Sequence, residues 1–307
     1  MIDKLIEKID EKKAPIVVGL DPQISMIPDH IRKESEEKFG STLEALAESF
    51  FLFNKEIVNK TCDLIPAVKP QIAMYEALGV PGVAAYKRTI DYCHDKGLVV
   101  IGDIKRGDIG STAGQYAVGH IGSIQVGNEE IKPFDTDFVT INPYMGSDAI
   151  KPFTDICKTH DRGIFVLCKT SNPSSGELQD MNIEGIPVYE HVARLIEKWG
   201  EELIGSCGYS DVAAVVGATY PEMGEELRAK FPHMFFLIPG YGAQGAGARE
   251  LAGFFDKNGR GGIVNSSRGI IAAYKNEKYA SYGAKNFAEA SRAAVLDMKK
   301  DLEQAVG

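Results

Sequence analysis

The chain has 307 residues, 44% of them hydrophobic and 25% charged, with a formal net charge of −9. That composition excludes disordered, collagenous and coiled-coil chains and leaves a globular protein with ample material for a core. The acidic balance argues against a nucleic-acid partner, and no apolar run reaches the roughly 18 residues of a membrane helix, so any anionic ligand must be met by a local cluster.

From the start of the chain, Ile2, Leu5, Ile6 and Ile9 share one face of a predicted helix. Nearly continuous apolar runs then recur at 16–21, 64–69, 98–105, 138–142, 164–168, 212–218, 235–239 and 262–266. Such runs are what parallel strands buried on both faces require. Helical segments alternate with them. Ser41-x-x-Glu44 reads as a capping box ahead of a helix to about Lys60, and Pro81 opens a helix that Gly97 stops. The last segment lines up Phe287, Ala290, Ala294, Met298 and Leu302. Stretches 22–40, 123–135 and 171–185 read as irregular, and the first and third follow strands directly. Eight strand and helix alternations predict one α/β domain over residues 1–307, a closed (β/α)8 or TIM barrel with extended loops on its C-terminal face, where barrel enzymes keep their sites. A doubly wound sheet would stop at fewer strands.

The sharpest feature is Asp103-Ile104-Lys105-Arg106-Gly107-Asp108 at the end of the third strand. Residues two apart on a strand share a side, so Asp103 and Lys105 are expected to project together into the barrel mouth, with Asp108 in the loop beyond. A bare DxKxxD is more often a solvated ion-pair cluster. Here, however, Asp21 ends the first strand and Lys69 the second, and the other strands deliver Asn142, Ser171, Asn172, Gln244 and Arg268 at the same edge. Strand six offers only Thr219. Singly, such groups cap helices and close turns; their convergence on one face points to a site.

After strand seven, Gly240-Tyr241-Gly242-Ala243-Gln244-Gly245 matches a GxGxxG dinucleotide fingerprint, but it lies far from a first βα turn and lacks the acidic partner about twenty residues on. Loops after the last two strands of a barrel commonly bind phosphate, so this loop and Ser266-Ser267-Arg268-Gly269 are expected to grip one, with the Arg268 guanidinium and Gln244 as donors. The six histidines show no metal-ligand spacing, and no metal is expected. Cys168 at a strand end reads as core packing. Five cysteines without a CxxC pair suit reduced thiols in the cytoplasm.

Taken together, these motifs resemble the orotidine 5′-phosphate decarboxylase family. The resemblance runs over most of the chain, through Gly19-Leu20-Asp21-Pro22, Val68-Lys69-Pro70, the DxKxxD stretch with Ile109-Gly110-Ser111-Thr112, Thr170-Ser171-Asn172-Pro173, Pro239-Gly240-Tyr241-Gly242-Ala243-Gln244 and Asn265-Ser266-Ser267-Arg268-Gly269. Length and long loops resemble the longer, microbial branch; Gly107 departs from the commoner small apolar residue. The resemblance implies conversion of orotidine 5′-phosphate to UMP and CO2 without metal or organic cofactor. It implies Asp21 and Lys69 on the ribose, a Lys69, Asp103, Lys105 and Asp108 charge network, Ser171 on the pyrimidine, and Gln244, Arg268 and Gly269 on the phosphate. It also implies a homodimer in which Asp108 and Thr112 reach the neighbouring site. Asp103 either destabilises the substrate carboxylate or orients Lys105. The alternatives are a Mg-dependent sugar-phosphate decarboxylase or aldolase of the same superfamily, which the cation at Lys69 argues against, and a non-catalytic nucleotide-binding protein.

Overall fold

The structure is a computed structural model and describes residues 1–242 and 247–306. Eight parallel strands form: β1 (Ile16–Leu20), β2 (Ala67–Pro70), β3 (Val99–Arg106), β4 (Phe138–Ile141), β5 (Gly163–Lys169), β6 (Val212–Val216), β7 (Phe236–Pro239) and β8 (Gly262–Ser266). Neighbours in chain order pair with one another, and β1 pairs with β8, which closes the barrel. All eight lie within a few residues of the expected strands.

Strand parity divides the core. Outward-facing Val18, Val68, Val100, Val139, Val166, Ala214, Ile238 and Val264 pack beneath the helical ring. Inward-facing Val17, Ala67, Val99, Ile101, Phe138, Phe165, Ala213, Leu237 and Ile263 fill the barrel and meet Ile2, Leu5, Ile6 and Ile9 of the first helix, Ile2–Lys12. That helix closes the amino end of the barrel, where the Ile2 amide donates to Asp211 Oδ1 at 2.6 Å just ahead of β6. Continuing the inward parity toward the carboxyl ends reaches Gly19 and Asp21, Lys69, Asp103, Thr140 and Asn265. The barrel interior is therefore apolar below and polar at its mouth.

Several local expectations need correction. The stretch 22–40 is largely helical, at Asp29–Phe39, with only Ile31 and Ser35 buried. The long helix, Leu43–Thr61, is capped by Thr42 and not Ser41: the Thr42 hydroxyl accepts the Ala45 amide at 3.2 Å. Pro81 lies in the first turn of the helix Gly79–Asp95 and does not open it. The stretch 123–135 contains a small antiparallel hairpin, pairing Ile124–Val126 with Glu129–Ile131, and the stretch 171–185 ends in the first strand and turn of another, Asn182–Ile183 pairing with Ile186–Pro187. The last helix, Phe287–Val306, buries the residues expected of it.

Candidate active site

At the mouth, Asp103 sits between two ammonium groups. Lys69 Nζ donates to its Oδ2 at 2.6 Å and Lys105 Nζ to its Oδ1 at 2.5 Å. Asp103 and Lys69 are buried, whereas the Lys105 side chain is 47% exposed and so remains open to a ligand. Burial alone would raise the Asp103 pKa, but Lys69 and Lys105 override it and hold the carboxyl well below the usual carboxylate range. Burial would lower the Lys69 pKa; Asp103 and then Asp21 outweigh it, so the ammonium is held charged. Asp21 is half-buried on the end of β1, and its Oδ1 is buried with no hydrogen-bond partner. An acceptor left unmet in this way is costly unless a bound hydroxyl supplies the donor.

The strand carrying the pair is irregular. Gly102 on β3 faces Val139 on β4, and Arg106 faces Ile141, so Asp103, Ile104 and Lys105 stand opposite a single residue, Thr140. Lys105 adopts a left-handed backbone at φ +45°, which costs a residue with a Cβ roughly 1–2 kcal/mol. This bulge lets Lys105 reach Asp103 from the rim, and nothing in the local sequence announces it.

The remaining described candidates lie on the segments that follow β3, β4, β5 and β8. Ser171 follows β5, where Gly217 gives it room: a Cβ on Gly217 would lie 2.8 Å from Ser171 Cβ. Arg268 and Gly269 are exposed at the start of a short helix, Arg268–Ile271, directly after β8. Gly19 admits this loop, since a Cβ there would meet Ser267 Oγ at 1.9 Å. Behind Arg268 and Gly269 a crevice of about 930 Å³ runs past Tyr241 to the last helix, apart from the Lys and Asp cluster. Gln244 lies outside the described residues. Asn142 is exposed and takes the modest part of a turn residue, its Oδ1 accepting the Tyr144 amide at 3.0 Å. Asp108 accepts the Ile109 amide at 2.8 Å, and no hydrogen bond or ion pair joins it to Lys69, Asp103 or Lys105. Thr112 is exposed on the following helix, Gly110–Ile121.

Two residues at the mouth escape a reading by motif. Thr140 is one. The other is Lys169, whose side chain is 2% exposed and whose Nζ donates to Asp180 Oδ1 at 2.6 Å and Ser175 Oγ at 3.2 Å, pinning the loop that follows Ser171. A charged residue ending a strand was its only signal. Cys168 is buried, its Sγ 3.2 Å from the Tyr189 carbonyl oxygen, and burial pushes its thiol up to about 12, as expected of a packing residue. Both Asp103 oxygens are occupied by ammonium groups, and among the described residues no cluster of three His, Cys, Asp or Glu is placed to hold a metal. No described helix is long and apolar enough to cross a membrane.

Comparison with known proteins follows the same lines. Residues 15–282 match the Orotidine 5'-phosphate decarboxylase / HUMPS family. The orotidine 5′-phosphate decarboxylase of Clostridium novyi is 44% identical over 303 residues, covering 98% of each chain, and that of Petrotoga mobilis 42% identical over 309 residues, covering 100% of this chain and 99% of its own. The solved Leishmania donovani OMP decarboxylase superposes with a TM-score of 0.69 at 29% identity, over 96% of this chain and 98% of that one. Likeness of this extent, carried through the barrel and both ends of the chain, has one consequence: the chain belongs to the orotidine 5′-phosphate decarboxylase family.

Proposed function

We propose that the chain decarboxylates orotidine 5′-phosphate to UMP at the Asp103 cluster, with no metal or organic cofactor. The observation that carries this reading is a buried carboxylate held between two ammonium groups, one of them exposed at the barrel mouth. Loss of CO2 breaks the bond from C6 of the pyrimidine to its carboxylate and leaves the electron pair on C6, where the ring delocalises it poorly. Lys105 beside C6 stabilises that developing charge and then gives it a proton, an interaction strongest in the transition state. Asp103 orients Lys105 and, with Lys69, keeps it fixed. The unmet Asp21 oxygen and the Lys69 ammonium suit the ribose hydroxyls. Ser171 would bond the pyrimidine, while Asn142 lies at the substrate's edge. Arg268, Gly269 and Gln244 would bind the phosphate, far from C6, where binding energy helps assemble the site.

Asp108 makes no hydrogen bond or ion pair to its own chain's cluster, and Thr112 is exposed three residues beyond Ile109, which is itself 56% exposed. We read that surface as the homodimer interface through which they serve the neighbouring site. A Mg-dependent sugar-phosphate reaction is disfavoured by the donor set, since a divalent ion would have to displace an ammonium from Asp103. The test is incubation with orotidine 5′-phosphate, with and without EDTA, following ultraviolet absorbance and released CO2. Chelator-insensitive formation of UMP is expected. Absence of conversion by folded protein, or its loss with EDTA, would overturn the reading.

A further inference from the structure

We propose that Thr140 is a positioning residue for decarboxylation, its hydroxyl holding both Asp103 and the bulged backbone of Lys105. This inference rests on the assignment of Asp103 and Lys105 as the reacting pair.

The argument begins with the register of β3 against β4. Three residues of β3 stand opposite one of β4, so two β3 amides have no ladder carbonyl to meet. Buried amides must find acceptors elsewhere. Thr140 Oγ1 accepts both, from Ile104 at 3.0 Å and from Lys105 at 3.1 Å. With its own proton it donates to Asp103 Oδ1 at 2.9 Å, the same oxygen that receives Lys105 Nζ. One oxygen atom thus uses its full capacity of two acceptances and one donation. It ties together the carboxylate, the backbone of the residue carrying the ammonium, and the turn at φ +45° that aims it.

Thr140 is 2% exposed, so water cannot readily replace the hydroxyl. Its β-branch restricts χ1 and holds the oxygen in place. In Thr140→Val the shape is kept, but two amides lose their acceptor and Asp103 loses a donor. Lys105 would then be free to leave the left-handed conformation, and its ammonium would no longer be fixed beside C6. With two amides accepted and its proton given to Asp103, the Thr140 hydroxyl has no bond left to offer the substrate, so the defect belongs in the chemical step and not in binding.

The experiment measures kcat and KM for orotidine 5′-phosphate, UMP affinity and thermal midpoint for wild type, Thr140→Val, Thr140→Ser, Thr140→Cys and Lys105→Ala. Thr140→Val should lose about 10- to 100-fold in kcat, the worth of one or two hydrogen bonds to a charged centre. KM and UMP affinity should stay within about twofold, since the groups that bind substrate are untouched. Thr140→Ser should recover most of kcat, and Thr140→Cys, a weaker donor without the methyl, should fall between, which keeps the test decisive if the valine variant does not fold. A kcat for Thr140→Val or Thr140→Cys equal to wild type, a serine variant no better than valine, or UMP affinity falling in step with kcat would overturn the inference. If Lys105→Ala abolishes turnover while the Thr140 variants match wild type, this inference alone fails. If turnover survives Lys105→Ala, the assignment of the reacting pair fails and this inference with it.

Discussion

Replacing Asp103 with asparagine separates the two lysines by what each loses. Lys69 and Lys105 both pair with the same carboxylate, but the Lys69 side chain is 6% exposed and that of Lys105 is 47%. Solvent compensates Lys105 and cannot compensate Lys69. Breaking a buried pair from one side costs about 3–5 kcal/mol, because the remaining charge stays desolvated. With an unfolding entropy of about 2.1 cal/mol/K per residue over 307 residues, that corresponds to a fall of about 5–8 °C in thermal midpoint. The deficit should also depend on pH. In the wild type the Lys69 pKa is raised above its ordinary value of 10.5, so its contribution is fully present below 10.5 and is lost only as pH rises through the higher folded value. In Asp103→Asn burial dominates and the folded pKa drops below 10.5. The unfolded chain then binds more protons than the folded one between the two values, and stability rises with pH. The gap between variant and wild type should therefore shrink between pH 7 and pH 10. Thermal or urea unfolding without substrate at both pH values measures it. A variant as stable as wild type at pH 7, or a deficit unchanged at pH 10, would refute the reasoning.

Lys105→Ala removes the half-exposed partner, so it should cost at most about 1 kcal/mol in stability by urea unfolding. Its kcat should nevertheless fall at least about a thousandfold, the combined worth of charge stabilisation and proton donation, with UMP affinity largely kept. Mixing inactive Lys105→Ala and Asp108→Asn proteins under conditions of subunit exchange should restore activity to about a quarter of wild type, because half the dimers would carry one site with both groups intact; continued inactivity despite exchange would exclude Asp108 acting across the interface. Lys169→Met frees the loop after Ser171 and should raise KM about tenfold, the worth of a charge-assisted hydrogen bond, in steady-state assays. An unchanged KM would show that Lys169 does not position that loop.

The barrel strands are legible because each is buried on both faces and reads as an unbroken apolar run. The helix Asp29–Phe39 is not, because it buries only Ile31 and Ser35 and leaves no periodic stripe. The choice of Thr42 over Ser41 as cap turns on a single residue of phase, which either hydroxyl could satisfy locally. At the site, Lys69 and Asp103 are legible for the reason the strands are: counting by twos up an inward-facing row leads from Ala67 to Lys69 and from Ile101 to Asp103. Lys105 lies on the same count, yet its reach depends on a bulge that parity reasoning cannot contain. Thr140 is hidden for a related reason. A threonine inside a strand is ordinary β chemistry, and its hydroxyl acquires meaning only when β3 is laid against β4 and three residues are found facing one. Motif spacing records what one strand carries; the aim of Lys105 is a property of two strands together, written at positions about 35 residues apart.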